Sequence, residues 1–597
     1  MKIKHLLIAA LATVALAACN KENGGNEEVL DGGTHYVAFQ IAAPGSKAVE
    51  AGADFENAVH DVHFFFYKNG NYVTKGTVNG FTPTFEPVSG QDYSHRMTNA
   101  VVALKSDGPK PNQVLAVLNA QNPSVFEGVN LDRALNLLQD DNADDGSKCS
   151  NYVVAHNGLL YFTMSNASYF SASTSKAVTA TSIPYVFDTE SDALNNPVWM
   201  YVDRLAAKVE TTIGTPTATV VVTANATNVN YEVTVRGWTL NGVNETGYIF
   251  KHINNAWMED TYAIFDQGWM RTPTGTFRSG WAEDPNYAVT ATHDKSSYPV
   301  TNREYNQDKS PLVYGLSREL YNRAKLANLD NPAHNTVTMD MIKKQYCYEN
   351  TFNEVLAESF RNVGTHVLVF AQAKKVGEAN YTDVYEYHKN YLNEADYLQR
   401  ILDDSKGSGD YKREFFIGAD ETAAAGNAIT TANLKIERAI MENNIIKKPT
   451  AGHSNFRVSA FIDETTIPSG SKLYVSRNGA ALVEATADDK TIAFGENVYA
   501  LANKLENGWM VYFVPIKHTN GYTEPGKVFE GNYGVVRNNW YKVETGAINT
   551  LGMGIWDPET GENVQIVPDD KNDNWYLAAQ IRINAWNVVT QTSPLEE

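Results

Sequence analysis

The sequence is short of cysteine: three in 597 residues, at positions 19, 149 and 347. So few, so far apart, exclude a disulfide-built scaffold, and Cys149 and Cys347 read as free, mostly buried thiols. It is short of positive charge as well. Lys and Arg number 49 against 69 Asp and Glu, a net charge of -20, which argues against nucleic acid or an anionic membrane face as a partner. After the first eighteen residues no apolar run is long enough to span a bilayer. Catalytic signatures are missing too: there is no HExxH, no GxSxG, no phosphate-binding loop and no GxGxxG opening a helix. The chain therefore reads as a non-enzyme without a cofactor.

What is present begins with a leader. Lys2, Lys4 and His5 give a basic start, and Leu6 to Ala18 is apolar except for Thr13. This is the pattern of a signal peptide, residues 1–18. It ends Leu16-Ala17-Ala18-Cys19, small residues before a cysteine, which resembles a bacterial lipobox and makes Cys19 the lipidation site. Lipid, not a transmembrane helix, would then tether the exported chain. Asn20 to Gly33 is polar and Gly-containing, a flexible tether.

The body is 43% hydrophobic and rich in aromatics, with 32 Tyr, 24 Phe and 10 Trp. Alternating β-branched and aromatic runs recur. In VHFFFYK, Val62, Phe64 and Phe66 face one way, and Asn69-Gly70 follows as a hairpin turn. Tyr231, Val233 and Val235 alternate, while HVLVFAQ (366–372) and WMVYFV (509–514) are apolar enough for buried strands. Helical patterns are fewer, near 129–139, 316–326, 351–361 and 391–403. The fold class is mostly β, sandwiches with helical insertions in loops. VWMYVDRLAAKVETTIG (198–214) reads as a last strand, and Thr215-Pro216-Thr217 as a linker, which puts a boundary near 212.

Metal-binding signals are weak. His60 and His63 are three apart, and on a strand they would face opposite sides and not converge. Asp140 to Gly146 and Asp569 to Asp573 read as solvated acidic loops, and Tyr385 to His388 as an exposed or half-buried aromatic patch. No metal ligand is assigned.

Several stretches together resemble a family. They are Tyr201-Val-Asp-Arg-Leu-Ala-Ala-Lys-Val209, Arg236-Gly-Trp-Thr-Leu240, Gly247-Tyr-Ile-Phe-Lys251 and Phe277-Arg-Ser-Gly-Trp-Ala-Glu-Asp-Pro285. Tyr346-Cys-Tyr-Glu-Asn-Thr351, Thr365-His-Val-Leu-Val369, Val536-Arg-Asn-Asn-Trp-Tyr-Lys-Val543 and Gln580-Ile-Arg-Ile-Asn-Ala-Trp-Asn-Val-Val-Thr-Gln591 follow in order. The chain resembles the Mfa-like branch of the fimbrillins, stalk subunits of type V pili. The resemblance implies two transthyretin-like β-sandwich domains, here 48–212 and 213–597, behind a lipidated propeptide, 19–47. It also implies export to the outer membrane and cleavage by an Arg- or Lys-specific surface protease. Loss of the first strand and its replacement by a strand of a neighbouring copy would follow, in a fimbria with anchor and tip subunits that serves adhesion to host or bacterial receptors and biofilm formation.

Applied to these residues, the removed strand is YVAFQI, with Val37, Phe39 and Ile41 on one face. Lys47 is the only Lys or Arg between Lys21 and Lys68, so the cut is expected at Lys47–Ala48. The family usually offers Arg there, so the protease must accept Lys. The donor strand is expected within 577–591, where Leu577, Ala579, Ile581 and Ile583 form an apolar face. Burying three or four such side chains contributes on the order of 5–10 kcal/mol. A tip or accessory adhesin, and a surface glycan-binding lipoprotein, are the competing expectations; a plain terminal strand of its own domain is the competing reading of 577–591.

Overall fold

The structure is a computed structural model. It describes residues 34–43 and 58–585, except 80–83, 88–93, 106–107, 140–149, 172–175, 254–276, 279–280, 286–311, 314, 328–343, 352–363, 408–411, 443–444, 449–455, 492–500, 519–532, 567–576 and 578. The fold is mostly β, as expected. Among the described residues no helix is long and apolar enough to cross a membrane.

The N-terminal strands are β1 (Thr34–Ala43), β2 (Asp61–Lys68), β3 (Asn71–Asn79), β4 (Thr84–Pro87), β5 (Ser94–Lys105) and β6 (Gln113–Leu118). They continue with β7 (Val153–His156), β8 (Leu159–Phe162), β9 (Met164–Asn166) and β10 (Val198–Arg204). All but the β7–β8 hairpin join one sheet in the order β3-β2-β6-β9-β10-β1-β5-β4. The sheet folds over on itself. β1 and β2 are four steps apart in that order, yet the rings of Phe39 and Phe64 stack with centroids 4.6 Å apart. Asn69 and Gly70, both at positive φ, turn β2 into β3, the twist a two-residue hairpin requires. On the far side Gly76 lets β3 lie against β5, since a Cβ there would sit 2.3 Å from Val102 Cγ1.

The alternation read in β2 is borne out, but both of its faces are buried. Val62, Phe64 and Phe66 enter a core with β1, β5 and β10, while Phe65 and Tyr67 enter a second with Phe126, Ile249 and Phe250. That explains the continuous VHFFFY run, because a strand covered on both sides has no polar face to display.

The reading of 198–214 as one strand is corrected. It is two, β10 and β11 (Ala207–Ile213), joined through Leu205 and Ala206. β10 pairs with β1 and β9, whereas β11 pairs with β17 (Asn539–Thr545) and β14 (Lys344–Cys347) of another sheet. The chain thus changes sheets ahead of the boundary expected near 212. No glycine, proline or polar linker marks the crossing, because Leu205 and Ala206 are fully buried between the two strands.

That second sheet runs β14-β11-β17-β19, with β19 at Ala579–Ala585. A third packs on it in the order β12-β13-β15-β16-β18: Thr217–Ala224, Thr227–Asn241, His366–Lys375, Trp509–Pro515 and Met553–Gly554. Val209, Tyr541 and Val543 from one sheet meet Val233, Val367, Val369 and Tyr512 from the other. The opposite face of the third sheet is also covered. Leu368, Phe370, Val511 and Phe513 pack with Leu320, Tyr321 and Ala324 of helix α1 (Ser317–Ala327), close to the helix expected at 316–326. β13 bulges between Val235 and Gly237, and Gly237, at φ +151, brings its backbone against Ala324 of α1.

Helix α2 (Glu394–Ser405) answers the expectation at 391–403, started by the Asn393 side chain accepting from the Asp396 N–H. Near 129–139 only Leu131–Leu135 is helical, and 352–361 lies outside the described residues. The aromatic patch at 385–388 is corrected. Tyr385 and Tyr387 are buried, and Tyr385 stacks on Tyr397 of α2 at 4.9 Å. Cys347 is free and buried, and burial pushes its thiol up to about 12.

Candidate functional site

The site with the clearest consequence is the place β1 occupies. It is an interior strand. On one side it pairs antiparallel with β5 from Thr34↔Lys105 to Ala43↔Arg96. On the other it pairs parallel with β10, Phe39↔Val198 to Ala42↔Tyr201. Val37, Phe39 and Ile41 point into the core at 1%, 0% and 2% exposure, the three residues assigned to the inward face. At the start of the strand His35 meets Asp188 at 2.7 Å, and Tyr36 exchanges two backbone bonds with Phe187.

Geometry and energetics agree on what β1 does. Three fully buried apolar side chains stabilise by ~1.5–3 kcal/mol each, and two flanking strands satisfy its backbone. Taken out, it would leave β5 and β10 facing each other across a slot with an apolar floor of Phe64, Phe66 and Met200. Two unpaired edges of that kind are a template for another strand.

The other expected site residues fall as follows. Cys19, Lys47 and Ala48 lie outside the described residues. Leu577 is buried in the C-terminal core, and its N–H donates to the Phe513 carbonyl at 3.1 Å. Ala579, Ile581 and Ile583 lie in β19, opposite Thr545, Val543 and Tyr541 of β17. In the single chain the expected donor is therefore docked on its own sheet, as the last strand in the order.

The expectation for His60 and His63 is corrected. His60 precedes β2 instead of lying in it, so the strand rule does not apply, and both rings reach Asp61, at 2.7 Å and 3.1 Å.

Sequence reasoning also missed a buried polar lock between the N-terminal and C-terminal sheets. Arg537 contacts Glu349 at 2.8 Å and donates to the carbonyls of Tyr248 and Ile249. The Asn538 side chain donates to Asp203 and accepts from Arg204. Lys251 lies 3.5 Å from Asp203, and all of these side chains are buried. The signal was there: these residues belong to four of the quoted stretches, whose convergence no local pattern shows.

The arrangement defines a class: a multi-sheet β-sandwich protein whose N-terminal sheet is completed by a strand upstream of a lone lysine. Residues 503–592 match the family described as major fimbrial subunit protein type IV, fimbrillin, C-terminal, so the fimbrillin resemblance is borne out over that segment. No curated protein matches the sequence. Solved structures give remote likenesses. A fimbrilin from Porphyromonas gingivalis is 10% identical with a TM-score of 0.32, over 94% of this chain and 100% of that one. A fimbrial assembly protein from Parabacteroides distasonis is 13% identical with a TM-score of 0.22, over 57% of this chain and 85% of that one. At these scores the functional reading rests on the family match and on the chain's own geometry.

Proposed function

We propose that the chain is the precursor of a fimbrial stalk subunit that polymerises when its first strand is removed. In this reading Cys19 carries lipid and holds the precursor at the outer membrane. A surface protease cuts Lys47–Ala48, and β1 leaves with its lipid. A strand from a second copy, drawn from 577–591, fills the slot between β5 and β10. Head-to-tail donation does not close on itself, so it yields a filament. Anchor and tip subunits and adhesion receptors complete the assembly at the cell surface.

One observation carries the reading. A strand whose only downstream connection is the segment containing the lone Lys47 is an interior member of the N-terminal sheet. A cut at that lysine would free β1, and β1 alone, from the rest of the chain's described strands.

The test is limited digestion of the unlipidated precursor with a Lys-specific protease, read by N-terminal sequencing and electron microscopy. The expected product starts at Ala48 and forms filaments. A product starting at Ala48 that stays monomeric would instead indicate an accessory subunit. Cleavage elsewhere would make Lys47 an ordinary surface lysine.

A further inference from the structure

Around Asp61 the N-terminal domain gathers three histidines: His60 and His63 beside it in sequence, and His156 from a distant hairpin. Asp61 opens β2 and is 6% exposed. Its Oδ2 is 2.7 Å from Nδ1 of His60, and its Oδ1 is 3.1 Å from Nε2 of His63. His156 ends β7, immediately before the positive-φ turn Asn157-Gly158. That turn brings its ring onto His60, stacked at 4.4 Å and 7° from parallel. Tyr161 of β8 packs edge-on against both rings, at 5.5 and 5.7 Å.

Asn119 holds the two stacked histidines in place. It sits fully buried at positive φ just past β6. Its side chain accepts from the His60 N–H at 2.7 Å and donates to the carbonyls of Ala58 and Phe162. Its own carbonyl lies 3.4 Å from Nε2 of His156.

We infer that His60, Asp61 and His156 form a binding site for a divalent transition-metal ion of the zinc type. One ligand atom from each lies within 4.8 Å of the others. Zinc takes nitrogen and carboxylate oxygen at about 2.0–2.2 Å, which sets donors roughly 3–3.5 Å apart. Closing that difference requires the two rings to tilt out of their parallel stack. Two imidazoles and a carboxylate suit zinc better than calcium or magnesium, which prefer all-oxygen shells.

The surroundings are those a metal site needs. A ligating histidine commonly donates its second ring N–H to a carbonyl, which fixes the tautomer. With Nε2 of His156 on the Asn119 carbonyl, Nδ1 is left to coordinate. Ligating carboxylates are themselves held by hydrogen bonds. Nε2 of His63 lies 3.1 Å from Oδ1 of Asp61, where it steadies the carboxylate electrostatically, and its own Nδ1 is 3.2 Å from Thr77 Oγ1 on β3. His63 is thus a positioning residue and not a ligand. Three protein ligands leave a fourth position for water, or for a ligand from another copy.

All of these residues lie downstream of Lys47, so the site belongs to the mature subunit as well as to the precursor. The ion would pin residues 58–61, the first described after the cleavage segment, to the β7–β8 hairpin.

The test uses the tag-free, chelator-stripped full chain titrated with zinc chloride by calorimetry, together with the optical spectrum after cobalt(II) is added. One zinc per chain is expected, with the d–d bands of a four-coordinate cobalt site. His60→Gln and His156→Gln should each weaken binding by at least roughly tenfold, a loss of about 1.4 kcal/mol. His63→Gln should weaken it by about 10–100-fold, as loss of an outer-shell partner does. His388→Gln, in an exposed turn, should leave it unchanged. Absence of saturable zinc binding by the folded wild-type chain overturns the inference without any variant. So does binding that persists unchanged in the His60→Gln, His156→Gln double variant.

Discussion

Phe39 is fully buried between two layers, stacked on Phe64 and 6.1 Å from Phe66. In the precursor Phe39→Ala should cost about 3–5 kcal/mol, the usual loss for a large aromatic in a core. Urea unfolding of wild type and variant measures it. A subunit cut at Lys47–Ala48 that has released β1 would lack residue 39, so there the same substitution should have no effect. At this scale much was legible. Val37, Phe39 and Ile41 were assigned to the inward face from alternation alone, and all three are buried. Alternation works there because it reflects the two faces of a strand. It failed at His60, where one residue of non-strand backbone turned two divergent rings into convergent ones.

Elements were legible where burial is continuous. HVLVFAQ and WMVYFV are adjacent strands of a sheet covered on both faces, and their unbroken apolarity follows from that. The division of 198–214 was not legible, since Leu205 and Ala206 are as buried as the strands they join. Nor was the bulge at Gly237, where a Cβ would lie 2.2 Å from the Ala324 carbonyl and φ is +151. Gly237→Ala therefore meets both a steric and a conformational penalty. It should lower the melting temperature by about 1–4 °C, the shift that roughly 1–3 kcal/mol gives in a domain of this size. If α1 is what it displaces, hydrogen exchange should rise in 317–327 and not in β1.

On the scale of the whole molecule, the lock around Arg537 ties the N-terminal and C-terminal sheets together. A subunit that passes tension along a filament benefits from such a joint, because slippage between the sheets would separate buried charges. Glu349→Ala leaves the Arg537 guanidinium buried without its carboxylate, at a cost of about 3–5 kcal/mol. Differential scanning calorimetry should then show a lower or split transition. A variant with an unchanged melting profile would mean that the two sheets hold together without the lock. The lock was invisible in the sequence because its members, from Asp203 to Asn538, are far apart along the chain. Only the recurrence of their motifs hinted that they mattered.

In the proposed function, polymerisation depends on vacating the slot of β1, and a reversible staple tests this directly. Ala38 and Val101 lie opposite each other in the β1–β5 register. The pair Ala38→Cys and Val101→Cys, oxidised, should hold β1 in place after a Lys-specific protease has cut behind it. The predicted result is cleaved, monomeric protein under oxidising conditions and filaments on addition of a reductant. Filaments from the oxidised, stapled protein would contradict the proposal, because assembly would then proceed with the slot still full.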